Sequence, residues 1–239
     1  MAIISKNKHA NAKDVPKVLF FGKYNCDYSQ KAIQHLRLLG FSVQSVLSKS
    51  RSERLPEETN DWSGEFIICF RSYLLLPKSL LNRASIAAIN FHPGPVEYPG
   101  SGCLNWALYN NADTYGATAH IMDEKIDNGA IIECRRFPIL KEDNVTTLLA
   151  RAHLKTFTLL VDTTTGLARE GKSFLDYKLE SSRSEKWAGK AKKMSEIDKL
   201  QVVSPNCTKE ELERLIRSTY TPDFPPEIHL HGYKFVLRQ

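Results

Sequence analysis

Asn90, His92 and Asp127 carry the side chains in this chain best suited to chemistry: an amide that donates, an imidazole that moves a proton, and a carboxylate that sets the imidazole's charge. Asn90 and His92 stand two apart in the stretch Asn90-Phe91-His92-Pro93-Gly94-Pro95, and Asp127 follows in Ile126-Asp127-Asn128-Gly129. Together they are the parts of an acyl-transfer site, where holding the reactants and stabilising charge on a carbonyl oxygen dominate. Taken singly, each has an ordinary structural use, since Asn and His close loops at strand ends and Asp satisfies its own backbone in a turn.

The elements around them read as a parallel sheet. Residues 17–21 are a continuous apolar run ended by Gly22, which suits a buried strand. Asp27, three before Gln30, starts a helix whose face is marked by Ile33, Leu36 and Leu39 and which Gly40 stops. A second strand at 41–47 completes a β-α-β unit. Only Gly22-Lys23-Tyr24-Asn25-Cys26 follows the first strand, so a Gly-x-Gly-x-x-Gly dinucleotide site is disfavoured.

Further buried strands are expected at 65–70 and 86–91, with a short helix around 77–82 between them. Asn90 and His92 then sit at the carboxyl end of a strand, where ligand crevices of open parallel sheets lie. A helix over 104–109 and a strand over 116–122 follow, with Thr118, His120 and Met122 on one face and Asp127 on the next loop. The longest helical pattern, 146–170, ends at Gly171. Residues 177–203 turn polar and basic, as a linker or surface arm would. Pro222, Pro225 and Pro226 precede two short alternating runs joined by His231-Gly232, a hairpin.

The expected fold is therefore α/β: a Rossmann-like, mostly parallel sheet flanked by helices, with a small C-terminal β-hairpin extension. The expected division is an N-terminal extension at 1–16, a catalytic domain at 17–176, and an arm with the hairpin at 177–239.

A chain of 239 residues with 42% apolar residues can bury a full core, which excludes general disorder. The cysteines at 26, 69, 103, 134 and 207 show neither Cys-x-x-Cys pairing nor histidines at metal-ligand spacing. They read as reduced thiols, and no metal is expected. The N-terminal apolar run is too short for a signal peptide, and no stretch of about eighteen apolar residues exists to span a membrane. A cytoplasmic location is expected.

The formal net charge of +6 favours anionic partners. Along 183–199 the cations alternate with acids, as on a solvated face, and exposed aromatic clustering is sparse. Nucleic acid is not the expected partner.

Residues 65–132 resemble the folate-dependent formyltransferases, which move a formyl group from N10-formyltetrahydrofolate to an amine. The matching segments are Asn90-Phe91-His92-Pro93, Tyr98-Pro99-Gly100, Gly116-Ala117-Thr118-Ala119-His120, and Ile126-Asp127-Asn128-Gly129-Ala130-Ile131-Ile132. Four segments in order, with His92 and Asp127 at the family's separation, are far more specific than a lone Asn-x-His. Within that family the resemblance is closest to the short bacterial sugar N-formyltransferases.

The resemblance implies the formyltransferase fold, N10-formyltetrahydrofolate as co-substrate, no metal, and a nucleotide-linked amino-dideoxysugar as acceptor. The most expected acceptor is dTDP-4-amino-4,6-dideoxyglucose, for O-antigen, lipopolysaccharide or other surface polysaccharide. Asn90 would donate to the formyl oxygen. His92 would stabilise the oxyanion or take the amine proton, depending on its charge. Asp127 would hold His92 and favour its charged form by proximity. Tyr73, Leu74 and Leu75 match the pterin-binding segment through main-chain groups, and Met122, Asp123, Glu124, Lys125 and Ile126 match the second pterin-facing loop.

For the acceptor, Tyr98 and Trp106 offer stacking surfaces, while Arg71, Arg151, Lys155 and Lys186 offer partners for a pyrophosphate. His120 is common in the family at this place and reads as a structural strand residue beneath the site. The C-terminal hairpin would pack against a second subunit, giving a homodimer.

Other acceptors, initiator methionyl-tRNA or glycinamide ribonucleotide, remain alternatives, as does a non-catalytic folate- or nucleotide-binding protein. Pro99-Gly100 departs from the Arg-Gly usual in the tRNA enzymes, which also carry a large C-terminal domain. Retention of all three candidate catalytic residues argues against a silent binder.

Overall fold

The computed structural model describes residues 3–6 and 15–238. In chain order the elements are β1 (Ile3–Lys6), β2 (Lys17–Lys23), α1 (Asp27–Leu38), β3 (Ser42–Ser48), a 3-10 turn (Glu57–Thr59), β4 (Gly64–Phe70), α2 (Lys78–Leu81), β5 (Ala84–His92) and α3 (Cys103–Tyr109). There follow β6 (Thr114–Ile121), β7 (Ile131–Pro138), α4 (Val145–Glu170), α5 (Lys172–Ser181), α6 (Met194–Leu200), α7 (Lys209–Thr219), β8 (Glu227–Leu230) and β9 (Tyr233–Val236).

Seven strands form one sheet in the order β1-β3-β2-β4-β5-β6-β7, and β8 and β9 form a separate hairpin. Strands β2, β3, β4 and β5 run parallel, while β1 lies antiparallel to β3 and β6 antiparallel to β5. The protein is thus an α/β fold with a mostly parallel sheet flanked by helices and a C-terminal hairpin. Edge strand β1 comes from the segment that reads in sequence as an extension.

The chain divides into two compact units. The first takes the described residues up to His92 together with 118–134 and 156–186; the second takes 93–117, 135–155 and 187 onward. Strands β6 and β7 and helix α4 pass from one to the other.

In the first unit, β2 and β4 are buried on both faces, as their unbroken apolar runs require: Val18, Leu19, Phe20 and Phe21, then Phe66, Ile67, Ile68 and Phe70. Each such side chain removed from water stabilises the fold by about 2 kcal/mol. On one face Leu19, Phe21, Ile67 and Cys69 pack with Trp62, Leu74 and Leu76. Phe157 of α4 stacks near Tyr28 and Phe70, with ring centroids 5.4 Å and 6.4 Å apart.

The second unit is organised around α3. Its Leu104, Ala107 and Leu108 pack with Tyr115, Val145, Leu148 and Ala152. The Asn105 amide donates to Ser218 O at 2.7 Å, tying α3 to α7. Helix α4 starts on Asn144, whose Oδ1 accepts from the N–H groups of Thr146 and Thr147 at 2.9 and 3.2 Å.

The polar stretch 177–203, which reads as a linker or arm, instead contains the end of α5 and all of α6. These helices bury only Leu175 and Ile197 between them, so their sequence shows no apolar stripe to announce them. The hairpin turn lies at His231 and Gly232, with φ of +49° and +84°. Two successive left-handed residues give the primed turn that matches strand twist.

Candidate active site

The parallel sheet delivers Asn90 and His92 at the carboxyl end of β5, and period-two alternation puts both side chains on one face. Strand β6 pairs with this end in antiparallel register, Asn90 opposite His120 and His92 opposite Thr118. Opposite residues share a face, so His120 stands beside Asn90.

Asp127 arrives from the loop after β6 in a left-handed conformation, φ +44°. Such backbone costs about 1 kcal/mol and is tolerated best by Asn and Asp. Gly129 makes the loop's path possible: a Cβ there would sit 1.9 Å from Ile121 O. Only glycine lets the two backbones approach this closely.

The result is a buried cluster. His92 is 5% exposed, Asp127 7% and His120 2%. His92 Nδ1 lies 3.2 Å from Asp127 Oδ2. Asp127 Oδ1 lies 3.3 Å from His120 Nε2 and 3.5 Å from Asn90 Nδ2. Asn90 Nδ2 is 3.0 Å from His120 Nε2, and His120 Nδ1 is 2.8 Å from Ile121 O.

A carboxylate accepts only, so it selects the Nδ1–H tautomer of neutral His92 and leaves Nε2 as a proton acceptor. Behind the cluster, Cys69 is aligned with Asn90 across the β4–β5 ladder. Burial pushes its thiol up to about 12, the Ser72 backbone N–H works against this, and the Asp127 charge adds to it. Cys69 therefore stays a neutral thiol against the site.

The candidate trio Asn90, His92 and Asp127 is thus brought together within the first unit. His120, read in sequence as lying beneath the site, is in direct contact with two members of the trio. The signal for it is the β5–β6 register, which sequence periodicity alone does not supply.

The segments matched to a pterin site also fall in the first unit. Arg71 leaves β4 with φ +59°, and the Tyr73 and Leu74 N–H groups are held by the Ser48 and Ser72 hydroxyls at 3.0 and 3.1 Å. Leu75 is 75% exposed and Ile126 54%. Asp123 shapes the second loop by accepting from Lys125 N and Asn128 Nδ2, each at 2.8 Å. Met122, Asp123, Glu124 and Lys125 line an open groove of about 300 Å³. Glu124 pairs with Lys78 across it at 3.0 Å.

The residues expected to meet the acceptor are divided between the two units. Arg71 and Lys186 belong to the first unit; Tyr98, Trp106, Arg151 and Lys155 belong to the second. Arg71 Nη1 donates to Cys26 Sγ at 3.3 Å. Arg151 is paired with the buried carboxylate of Asp143 and donates to Pro138 O at 2.8 Å, while lying over the Phe137 ring. Lys155 lies 6.0 Å from the same ring. Tyr98 packs beside Tyr115, and the Lys192 ammonium covers the Trp106 ring at 3.8 Å. Among the described residues, no cluster of His, Cys, Asp or Glu could hold a metal.

Comparison with known proteins agrees with this geometry. The family model described as "Formyl transferase" matches residues 7–164. GDP-perosamine N-formyltransferase of Brucella melitensis is 24% identical over 190 residues, covering 78% of this chain and 69% of that protein. The fold is shared with a sugar N-formyltransferase from a Shewanella species, at TM-score 0.70 and 19% identity over 94% of this chain and 97% of that one. It is also shared with an N-formyltransferase from Helicobacter canadensis in complex with folinic acid and dTDP-3-aminofucose, at TM-score 0.65 and 13% identity over 91% and 85%. The chain belongs to the formyl transferase family of enzymes.

Proposed function

We propose that this protein is a sugar N-formyltransferase, moving a formyl group from N10-formyltetrahydrofolate to the amine of a nucleotide-linked amino-dideoxysugar. The observation that carries the reading is the cluster of half-buried Asn90 with buried His92 and Asp127, with its distances of 3.2 and 3.5 Å. Family membership and the relatives' sugar substrates support it.

When bound, the folate supplies an activated formyl carbon. Asn90 donates an N–H to the formyl oxygen as negative charge gathers there; a single donor of this kind is worth about 10²–10³ in rate. His92 Nε2 takes the proton of the attacking amine as the new C–N bond forms, Asp127 stabilises the imidazolium, and the imidazolium returns the proton to N10 as the C–N10 bond breaks and tetrahydrofolate leaves.

The first unit fits a folate on two counts. Exposed Leu75 and Ile126 offer apolar contacts on the loops after β4 and β6. Because the N–H groups of Tyr73 and Leu74 are already engaged, the carbonyls of this segment are what a pterin amino edge would meet.

A phosphate-bearing acceptor is supported by a row of cations on three adjacent strand ends. Lys23 closes β2, Lys49 follows β3 and Arg71 follows β4, with Lys23 aligned to Ser48 and Gly22 to Phe70. Lys23 and Lys49 lie over the rings of Tyr73 and Tyr24, at 5.4 and 4.6 Å. Neighbouring strands are about 5 Å apart, so the three can converge on one pyrophosphate. Arg151, by contrast, is occupied by Asp143.

The acceptor we favour is dTDP-4-amino-4,6-dideoxyglucose, in a cytoplasmic step of surface-polysaccharide synthesis. The unbridged cysteines accord with a reducing compartment. A second reading, GDP-perosamine, rests on the Brucella relative. The working enzyme is a homodimer through the C-terminal hairpin. Its Ile228, Leu230, Tyr233 and Phe235 share one face, on which Tyr233 is 71% and Phe235 57% exposed. An isolated hairpin of this kind is marginal without such packing.

Release of tetrahydrofolate in the presence of each nucleotide amino sugar tests the reading. Turnover with one of them supports it, and absence of turnover with every 3-amino and 4-amino sugar rejects it.

A further inference from the structure

We infer that His120 is a positioning residue that fixes which end of the Asn90 amide faces the reacting carbonyl, through a chain of hydrogen-bond polarity that begins at the backbone carbonyl of Ile121. The inference rests on the proposed role of Asn90 as donor to the formyl oxygen.

The chain of polarity is set link by link. Ile121 O can only accept, so the nitrogen 2.8 Å from it, His120 Nδ1, carries a hydrogen. Neutral His120 then has a bare lone pair on Nε2. With His120 neutral, Nε2 lies 3.0 Å from Asn90 Nδ2 and Asp127 Oδ1 lies 3.5 Å from the same atom, so that end of the Asn90 side chain faces two acceptors. An amide NH2 satisfies both acceptors. An amide oxygen in the same place would satisfy neither, and the flipped Asn90 is excluded.

The two hydrogens of that NH2 are not held equally. His120 holds one at 3.0 Å, within the ordinary hydrogen-bond range, whereas Asp127 Oδ1 stands at 3.5 Å from the same nitrogen. The loosely held hydrogen is the one released to a formyl oxygen, while His120 keeps the amide from turning. A correctly oriented donor costs no reorganisation as charge develops.

Gly129 protects the first link. A Cβ at that position would meet Ile121 O at 1.9 Å and displace the carbonyl that fixes the His120 tautomer. The glycine that lets Asp127 reach the site therefore also holds the polarity of Asn90. The motif Asp127-Asn128-Gly129 and the strand residue His120 act as one device.

The tautomer can be read in the unliganded protein. Long-range 1H–15N spectra of the histidine rings, with His120 assigned by its loss in His120→Gln, should show a protonated Nδ1 and a bare Nε2. A protonated Nε2 would overturn the inference whatever the enzyme's acceptor is. Failure of the function itself would appear instead as no transfer to any amine, with the tautomer unchanged.

Kinetics provide the second arm. His120→Leu and His120→Asn place no acceptor at the Nε2 position, and each should lower kcat about tenfold to a hundredfold with folate binding and Tm close to wild type. His120→Gln restores an acceptor and should recover part of the loss. In an Asn90→Ala background, His120→Leu should add little further loss. Additive losses, or a His120→Leu enzyme with wild-type kcat, would show that His120 does not act through Asn90.

Discussion

In the β5–β6 ladder, half-buried Asn90 and buried His120 stand opposed and bond to each other. In the β8–β9 ladder, the opposed side chains Leu230 and Tyr233 stand 40% and 71% exposed. The same pairing rule builds both, and only the surroundings differ. The buried pair has its polar groups matched within the chain, so its geometry is fixed before any ligand arrives. The exposed pair leaves apolar surface open, and such surface gains stability only when another molecule covers it. On the proposed reading, chemistry belongs where the chain is self-satisfied and assembly where it is not.

The comparison breaks most severely if the buried cluster is dismantled. His92→Ala and Asn90→Ala should each lower kcat by about 10² or more, the first more than the second, since they remove the proposed base and the proposed carbonyl donor. Steady-state rates with folate affinity measured in parallel check this, and losses confined to KM would show that the cluster only binds.

Gly129→Ala should come next. The new methyl must displace either Ile121 O or Asp127, so chemical denaturation should show a loss of about 2–3 kcal/mol, with kcat falling as well. A variant as stable and active as wild type would mean that the loop is not held against Ile121.

Arg151→Gln separates structure from recognition within the second unit. It leaves the Asp143 carboxylate, 4% exposed, without its guanidinium. Stability should drop by about 1–3 kcal/mol, discounted because Arg151 is partly solvated, while KM for the nucleotide sugar holds. A raised KM with unchanged Tm would return Arg151 to the acceptor site.

At the hairpin, Tyr233→Ser with Phe235→Ser should convert dimer to monomer in sedimentation while the monomer stays folded. A wild-type dimer bearing both substitutions would place the subunit contact elsewhere.

The smallest effect is alkaline. The Cys69 thiol, pushed up to about 12 by burial, stabilises the fold fully below its ordinary value of 9.0, and that contribution is lost as pH climbs from 9.0 toward 12. Cys69→Ala should flatten stability over that window, and native Cys69 should resist alkylation at pH 8.

Much of this was legible before the fold was known. Lys17–Lys23 and Gly64–Phe70 announced themselves as apolar runs, and Asn90, His92 and Asp127 by residue type and spacing. His120 was not legible as a site residue, because its contact with Asn90 depends on an antiparallel register that no local pattern encodes. The cation row needs the strand order β3-β2-β4, which brings together residues 23, 49 and 71. Strand β7 was hidden by Arg135 and Arg136, and helices α5 to α7 by charge on nearly every turn. Arg151 looked like a free cation because Asp143, eight residues earlier, meets it only across the start of α4.

The most direct test of the central claim is single-turnover formyl transfer from N10-formyltetrahydrofolate to dTDP-4-amino-4,6-dideoxyglucose or GDP-perosamine, in wild type and in Asp127→Asn. The substitution keeps the shape and removes the charge that His92 Nδ1 meets at 3.2 Å. The account predicts transfer in wild type and a loss of about a thousandfold in the variant, with folate still bound. Equal rates in the two proteins would contradict it.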